Sequence, residues 1–503
     1  MGVVKAAAYS VSAEELQALA NDPDTVFISP DLPVRPSLDY AAAAVNAGTA
    51  WSAGYEGQGI GVAVIDSGLW KDDPDLRLNS TNGAKRVVYS QDFTGSGTTD
   101  DEFGHGSHVA GVIGQGRYHT APSDYTRKIF GLAPGANLIN LKVLDRNGAG
   151  TDSRVIAAIQ RAIQLKSTYN IRVINLSLGR PVTASYVNDP LCQAVEQAWK
   201  AGIVVVVAGG NYGRNDFAGN KGYGTITSPG NDPLVITVGG MKSNGTSTRG
   251  DDTIASYSSK GPTQIDQIVK PDILAPGNQI VSLYPYVGSP TLPVNYPSVL
   301  ISASYYHANS NYTSTSFFKL NGTSMAAPMV SAAAALLLQK DPSLTPDQVK
   351  ARLMKTAYKA FPVQTTVYDA ATGKNYTSQY DLFTVGAGFL DIGAALANYD
   401  KAAGTALSPK AVRGPDGKIK VSFSAGSAFS ASNVIWGTNV IWGTNVIWGE
   451  NVIWGTNVIW GTGGTAGYNV IWGEGSGPTG SNVIWGEASL SVVEGLGVLT
   501  RGE

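Results

Sequence analysis

A carboxylate, an imidazole and a hydroxyl that together can run an acyl transfer stand far apart in this chain, each in a setting that suits it. The carboxylate is Asp66, at the end of the apolar run Val62-Ala63-Val64-Ile65 and followed by Ser67-Gly68. Such a run predicts a buried strand whose last residue emerges where open α/β sheets place their sites. The imidazole is His105, in Gly104-His105-Gly106-Ser107-His108-Val109-Ala110-Gly111, where small residues let the backbone pack closely and predict a helix beginning near His105. The hydroxyl is Ser324, in Asn321-Gly322-Thr323-Ser324-Met325-Ala326-Ala327-Pro328. The helical run that follows, 325–339, puts Ser324 at a helix N-terminus, where free N–H groups and the helix dipole favour an oxyanion.

A serine hydroxyl is a poor nucleophile until an imidazole removes its proton, and the imidazole needs a carboxylate to fix its tautomer and stabilise its charge. Each segment alone has an ordinary reading: Asp-Ser-Gly ends many turns, and a glycine-flanked histidine is often structural. Gly-Thr-Ser-Met-Ala-Ala-Pro is the specific one. A fourth element is Ile203-Val204-Val205-Val206-Val207-Ala208-Gly209-Gly210-Asn211, whose β-branched run predicts a central strand with Asn211 just past its end.

The order Asp, His, Ser with these local contexts resembles the subtilisin-like serine peptidases, the subtilase family; it is one of three unrelated orders known for this triad. The resemblance implies that Ser324 attacks, His105 acts as base and then as acid, and Asp66 orients His105. It also implies an oxyanion hole made by the Asn211 side-chain amide and the Ser324 backbone N–H. His108 is expected to be a structural partner. By the same resemblance Ser177-Leu178-Gly179 forms an extended edge of the substrate cleft, pairing with a polypeptide as an added strand does.

The elements that must position these groups are also legible. From residue 41 to about 399 strands and helices alternate, predicting an α/β fold: a mostly parallel, doubly wound sheet with helices on both faces. Further strands are expected at 138–143, 173–176, 234–238 and 273–274, and a helix opens at Thr345-Pro346 with Thr345 as its cap. The expected organisation is a partial inhibitory propeptide-like segment at 1–38, a catalytic domain at 39–400, a linker at 401–432, a repeat at 433–487 and a tail at 488–503.

In the first segment Ser12 and Glu15 form a capping box, and 25–28 read as a strand. That helix-then-strand order resembles the second half of the family's propeptide, so the chain's own propeptide is an expected inhibitor and maturation is expected between 32 and 39. Between Gly277 and Ser324 the chain is expanded relative to the family, as a lid, a hairpin or a partner surface. His307 in that stretch reads as a surface residue.

Lys plus Arg number 36 against 38 Asp plus Glu, with no basic block, which points away from nucleic acid and anionic membranes as partners. Sixty glycines and 15% charged residues suit a turn-rich extracellular enzyme, secreted or at the cell surface. No signal-peptide pattern stands in the given chain, and its apolar runs are too short to span a bilayer. Cys192 is the only cysteine, so no intramolecular disulfide forms, and its helical context reads as an inert core position. Catalysis of this kind needs no cofactor. Asp75 matches one carboxylate of a structural calcium site common in the family, short of the six to eight oxygens calcium takes.

Asn-Val-Ile-Trp-Gly occurs seven times, starting at Asn433, Asn439, Asn445, Asn451, Asn457, Asn469 and Asn482, and holds seven of the ten tryptophans. Its six-residue period puts every Val and Trp of an extended chain on one face. A straight strand through five repeats would run about 100 Å, so the region is expected to be β-rich or irregular. A rival reading follows: a structural or adhesive surface protein that uses the catalytic fold as a scaffold and the Trp-rich repeat for self-association.

Overall fold

The computed structural model describes residues 12–23, 38–77, 85–116, 127, 129–215, 221–285, 288–308, 310, 312–369, 372–415, 419–429, 490–491 and 496–501. The chain divides into two compact units, Met1–Arg35 and Pro36–Glu503. In the first, helix α1 (Ala13–Ala20) opens with the expected capping box, Glu15 N–H donating to Ser12 Oγ and Ser12 N–H to Glu15 Oε2. The strand expected at 25–28 and the whole Asn-Val-Ile-Trp-Gly repeat lie outside the described residues.

The second unit is built on strands β1 (Gly61–Asp66), β2 (Val87–Asp92), β3 (Asn137–Lys142), β4 (Ala149–Gly150), β5 (Ile171–Leu176), β6 (Val204–Ala208), β7 (Ile236–Lys242), β8 (Thr253–Ile254) and β9 (Ile273–Pro276). All but β4 join one eight-stranded sheet in the order β2-β3-β1-β5-β6-β7-β8, with β9 also on β7. Every described pairing is parallel except β7 with the short β8. Because β1 and β6 lie inside this sheet and are covered on both faces, continuous apolar sequence replaces the alternation of a half-exposed strand.

Helices α2 (His105–Gly114) and α5 (Thr323–Lys340) pack against each other and the sheet; α3 (Asp152–Tyr169) and α4 (Pro190–Lys200) do the same as a separate pair. The sheet is thus doubly wound, as expected. Strand order reverses at β1, with β3 on one side and β5 on the other, so Asp66 stands at the switch point. Helix α6 (Pro346–Thr356) carries its expected Thr345 cap, completed by Gln348.

The expanded stretch before Ser324 is a three-stranded antiparallel sheet of β10 (Ile280–Leu283), β11 (Leu300–Ser302) and β12 (Thr313–Leu320), in the order β10-β12-β11. His307 there is half-buried and hydrogen-bonds Ser310. A hairpin, β13 (Gln364–Asp369) with β14 (Lys374–Gln379), follows later in the chain. Among the described residues no helix is long and apolar enough to cross a membrane.

The stretch 401–432 differs from the linker expected of it. Strands β15 (Lys410–Arg413) and β16 (Ile419–Ser422) form a hairpin there, and Ala406, Ala411, Ile419 and Phe429 enter a second apolar core. Ser408 bonds Asp272, which is also paired with the buried Lys270 and Lys350. Burial alone would raise the Asp272 carboxyl; the two ammonium groups hold it below its ordinary value.

Asp252 places a buried carboxyl without hydrogen-bond partners beside β8. It is 7% exposed, neither carboxylate oxygen has a hydrogen-bond partner, and burial, with the Asp251 charge, pushes it up to about 7. The folded state therefore holds this proton where the unfolded state, at 3.8, releases it, so stability falls as pH rises between those values. Asp252→Asn is expected to gain melting temperature over the parent on going from pH 5 to pH 8. A difference between the two that stays constant across that window would contradict this.

Candidate active site

At the end of β1, Asp66 Oδ1 accepts from Ser67 N–H at 2.7 Å and lies 2.8 Å from His105 Nδ1. Both side chains are buried, at 1% and 0% exposure. A carboxylate at that nitrogen selects the tautomer with the proton on Nδ1, which leaves a lone pair on Nε2. His105 Nε2 is buried without a hydrogen-bond partner.

His105 is brought there by close packing of α2 on the loop after β1. A Cβ on Gly106 would lie 2.2 Å from Gly68 O, so only glycine allows the approach. Gly106 N–H then donates to Ser67 Oγ at 2.9 Å. Asp101 closes the helix start: Oδ1 accepts from Ser67 Oγ and Gly104 N–H, and Oδ2 from Ser107 N–H, each at 2.7 Å. Burial raises the Asp101 carboxyl, and these three donors oppose the shift. They satisfy a first-turn N–H that the helix itself cannot.

Ser324 is the second residue of α5, so its N–H belongs to the first turn and has no intrahelical acceptor. The helix contains Pro328, which has no N–H to offer the carbonyl four residues back, that of Ser324. Ser177 Oγ takes this place, donating to Ser324 O at 2.7 Å, while Asn175 Nδ2 donates to Ser177 Oγ at 2.9 Å. Asn175 Oδ1 in turn accepts from Ser331 Oγ at 2.8 Å, tying α5 to the end of β5 a second time. The Ser324 hydroxyl donates to Ser177 O at 3.2 Å. The structure thus brings Asp66 and His105 into direct contact and sets Ser324 on Ser177, with no hydrogen bond from Ser324 to His105 Nε2.

Asn211, past β6, reaches the same turn: its Oδ1 accepts from Thr323 N–H at 2.8 Å and from Thr323 Oγ1 at 3.1 Å. Gly322, at φ 137°, would place a Cβ 3.2 Å from Asn211 Nδ2, so the amide lies against the turn that presents Ser324. Leu178 and Gly179 are buried beside it, and a Cβ on Gly179 would meet Thr227 Oγ1 at 2.7 Å.

Residues 57–388 match the model of the subtilase family. The chain belongs to the subtilase family. It is 37% identical over 320 residues to serine protease AprX of Bacillus subtilis (strain 168), a match covering 62% of this chain and 64% of that protein. To subtilisin DY of Bacillus licheniformis it is 33% identical over 321 residues, 64% of this chain and 92% of that one. To subtilisin E of Bacillus subtilis (strain 168) it is 33% identical over 357 residues, 70% and 76% of the two.

In this subtilase the groups that hold the site together were the ones hidden in the sequence. Asp101, Asn175, Ser331 and Thr323 are polar residues in ordinary company; only Asp101, placed shortly before a helix, carries the usual acidic signal of an N-terminus. His108 is structural, as expected: its Nε2 lies 2.9 Å from Ile280 O, and burial, with the neighbouring His105, holds it down at about 3. A cavity of about 390 Å³ lined by Asn170, Arg172 and Pro346 lies at the N-terminal end of β1 and β5, away from this chemistry.

Among the described residues no group of three or more His, Cys, Asp or Glu converges to hold a metal. Near Asp75 stands Arg86, 0% exposed, its Nη2 donating to Ala136 O at 3.2 Å. Burial pushes its guanidinium down to about 10, and the charges of Asp75 and Glu56 oppose that. Among the described residues, one carboxylate beside this cation falls short of the six to eight oxygens calcium takes.

An oxyanion donor acts only as charge develops, so, on the expectation that Asn211 takes that role, Asn211→Ala is expected to lower kcat by about 10²–10³-fold with KM little changed, the size known for such a donor in a subtilisin. Steady-state hydrolysis of a peptide substrate measures it; an unchanged kcat would take Asn211 out of the reaction.

Proposed function

We propose that the chain is a secreted serine endopeptidase that hydrolyses extended polypeptides through an acyl-enzyme. The observation that carries this reading is the buried Asp66–His105 contact with an open Nε2, set against a helix N-terminus that bears Ser324. Ser324 attacks the scissile carbonyl as His105 Nε2 takes its proton; His105 then gives that proton to the departing amine. Water repeats the sequence on the acyl-enzyme and frees Ser324. Asp66 holds the ring and steadies its positive charge, and the oxyanion takes hydrogen bonds from Ser324 N–H and the Asn211 amide. Ser177-Leu178-Gly179 offers main-chain groups to an extended substrate.

The reaction needs no cofactor in this reading. Residues 1–38 as inhibitory propeptide and the Trp-rich repeat as a self-association element belong to the same proposal. A fluorophosphonate probe tests its core. Labelling of the folded protein that disappears in Ser324→Ala is the expected result; equal labelling of that variant would sink the assignment.

A further inference from the structure

The last residues of the chain return to the active-site end of the sheet. Strand β17 (Leu490–Ser491) pairs antiparallel with β4, Leu490 opposite Gly150 and Ser491 opposite Ala149. Five positions on, helix α7 (Leu496–Arg501) docks beside the nucleophile turn: Leu499 O accepts from Asn321 N–H at 3.0 Å and from Asn321 Nδ2 at 3.3 Å. Leu499 is 1% and Thr500 2% exposed, as befits an anchor. Asn321 stands three residues before Ser324.

Strand β4 lies at the reacting end of the sheet. Val143 and Leu144, just past β3, donate their N–H groups to Asp66 O at 2.8 and 3.2 Å, and Gly150 packs on Val143 O. Asp152, two residues beyond β4, holds Arg180 at 2.9 Å, and Arg180 directly follows the Ser177-Leu178-Gly179 edge. Strand β4 and that edge are therefore neighbours, and among the described residues the strand on the β4 ladder is β17, paired as an extended peptide would be. His105, Leu178 and Ser324 are all 0% exposed.

We infer that the chain's own C-terminal segment occupies the substrate edge: Leu490–Ser491 takes the β4 ladder that an extended polypeptide would use, and α7 fastens it at Asn321. This rests on the peptidase reading above. The segment acts as an intramolecular competitor, so the enzyme is latent toward long substrates until the tail is displaced or cut. Its grip is main-chain hydrogen bonding on a two-residue ladder plus one buried helix face, which suits a releasable occupant.

The test compares the whole chain with a chain ending at residue 489, and with the full-length double variant Leu490→Pro/Ser491→Pro, which removes both N–H groups from the strand. Substrates are an internally quenched decapeptide and a small fluorophosphonate probe. The truncated chain is expected to show at least a ten-fold higher kcat/KM on the decapeptide, mainly through KM, and the double variant a smaller gain. A synthetic peptide of residues 488–503 is expected to inhibit the truncated chain competitively. Unchanged kcat/KM in both altered chains, or in the double variant alone if truncation prevents folding, overturns the inference. Ser324-dependent probe labelling alongside that result leaves the peptidase reading intact; absent labelling in every form sinks that reading too.

Discussion

Ser324→Ala is expected to lower kcat by about 10⁶-fold, the loss found when the triad serine of a subtilisin is removed. The substitution takes away the oxygen proposed to attack, together with its 3.2 Å hydrogen bond to Ser177 O. The Ser324 carbonyl still accepts from Ser177 Oγ and the α5 N-terminus keeps its geometry, since both contacts use groups that alanine retains or does not touch. Melting temperature is therefore expected to stay close to that of the parent while hydrolysis disappears. Active-site titration alongside steady-state kinetics separates the real residual rate from contaminating peptidase. A variant that hydrolyses peptide within ten-fold of the parent rate would remove Ser324 from the reaction.

The second large effect is expected at Asp66. In Asp66→Asn the amide nitrogen can face His105 Nδ1 and donate to it, which places the ring proton on Nε2, where a lone pair is required. On the order of 10⁴-fold in kcat is then expected, as for the same change in serine peptidases with this triad. The loss should appear in kcat far more than in KM, since Asp66 is buried behind His105 and meets no substrate. Its Oδ1 also accepts from Ser67 N–H, so a parallel melting measurement is needed. A loss below ten-fold, with stability unchanged, would mean that Asp66 only holds the loop.

How far the sequence could be read depended on the range of the interactions involved. Asp66, His105 and Asn211 stand where local pattern put them, because an apolar run ending in a polar residue or a glycine-flanked helix start is a short-range signal. The Ser12 capping box and the Thr345 cap were legible for the same reason, while the Gln348 half of the second box was not read. Asp101 beside Ser67, Ser177 beside Ser324 and Ser331 beside Asn175 were not, since each pairs residues that meet only when the sheet is assembled. For the hairpin of Lys410–Arg413 with Ile419–Ser422, the docking of Ala411 and Ile419 in a second apolar core is long-range in the same way, since their core partners Tyr223, Met354 and Phe383 lie elsewhere in the sequence. The pairing of Leu490 with Gly150 joins residues 340 positions apart, and nothing in either dipeptide announces the other.

Pro328 has a meaning beyond chain geometry. A proline inside a helix ordinarily costs about 3 kcal/mol or more, and here the orphaned carbonyl it leaves is used as a fastening point for Ser177, a residue on a different element. The vacancy works like a keyway: α5 is fastened to the end of β5 where the freed, buried carbonyl meets that hydroxyl. The aim of the Ser324 side chain is thereby specified by the covalent structure of a residue one turn away. Any redesign of this helix for stability that fills the gap with an ordinary N–H would unlock the alignment it set out to strengthen.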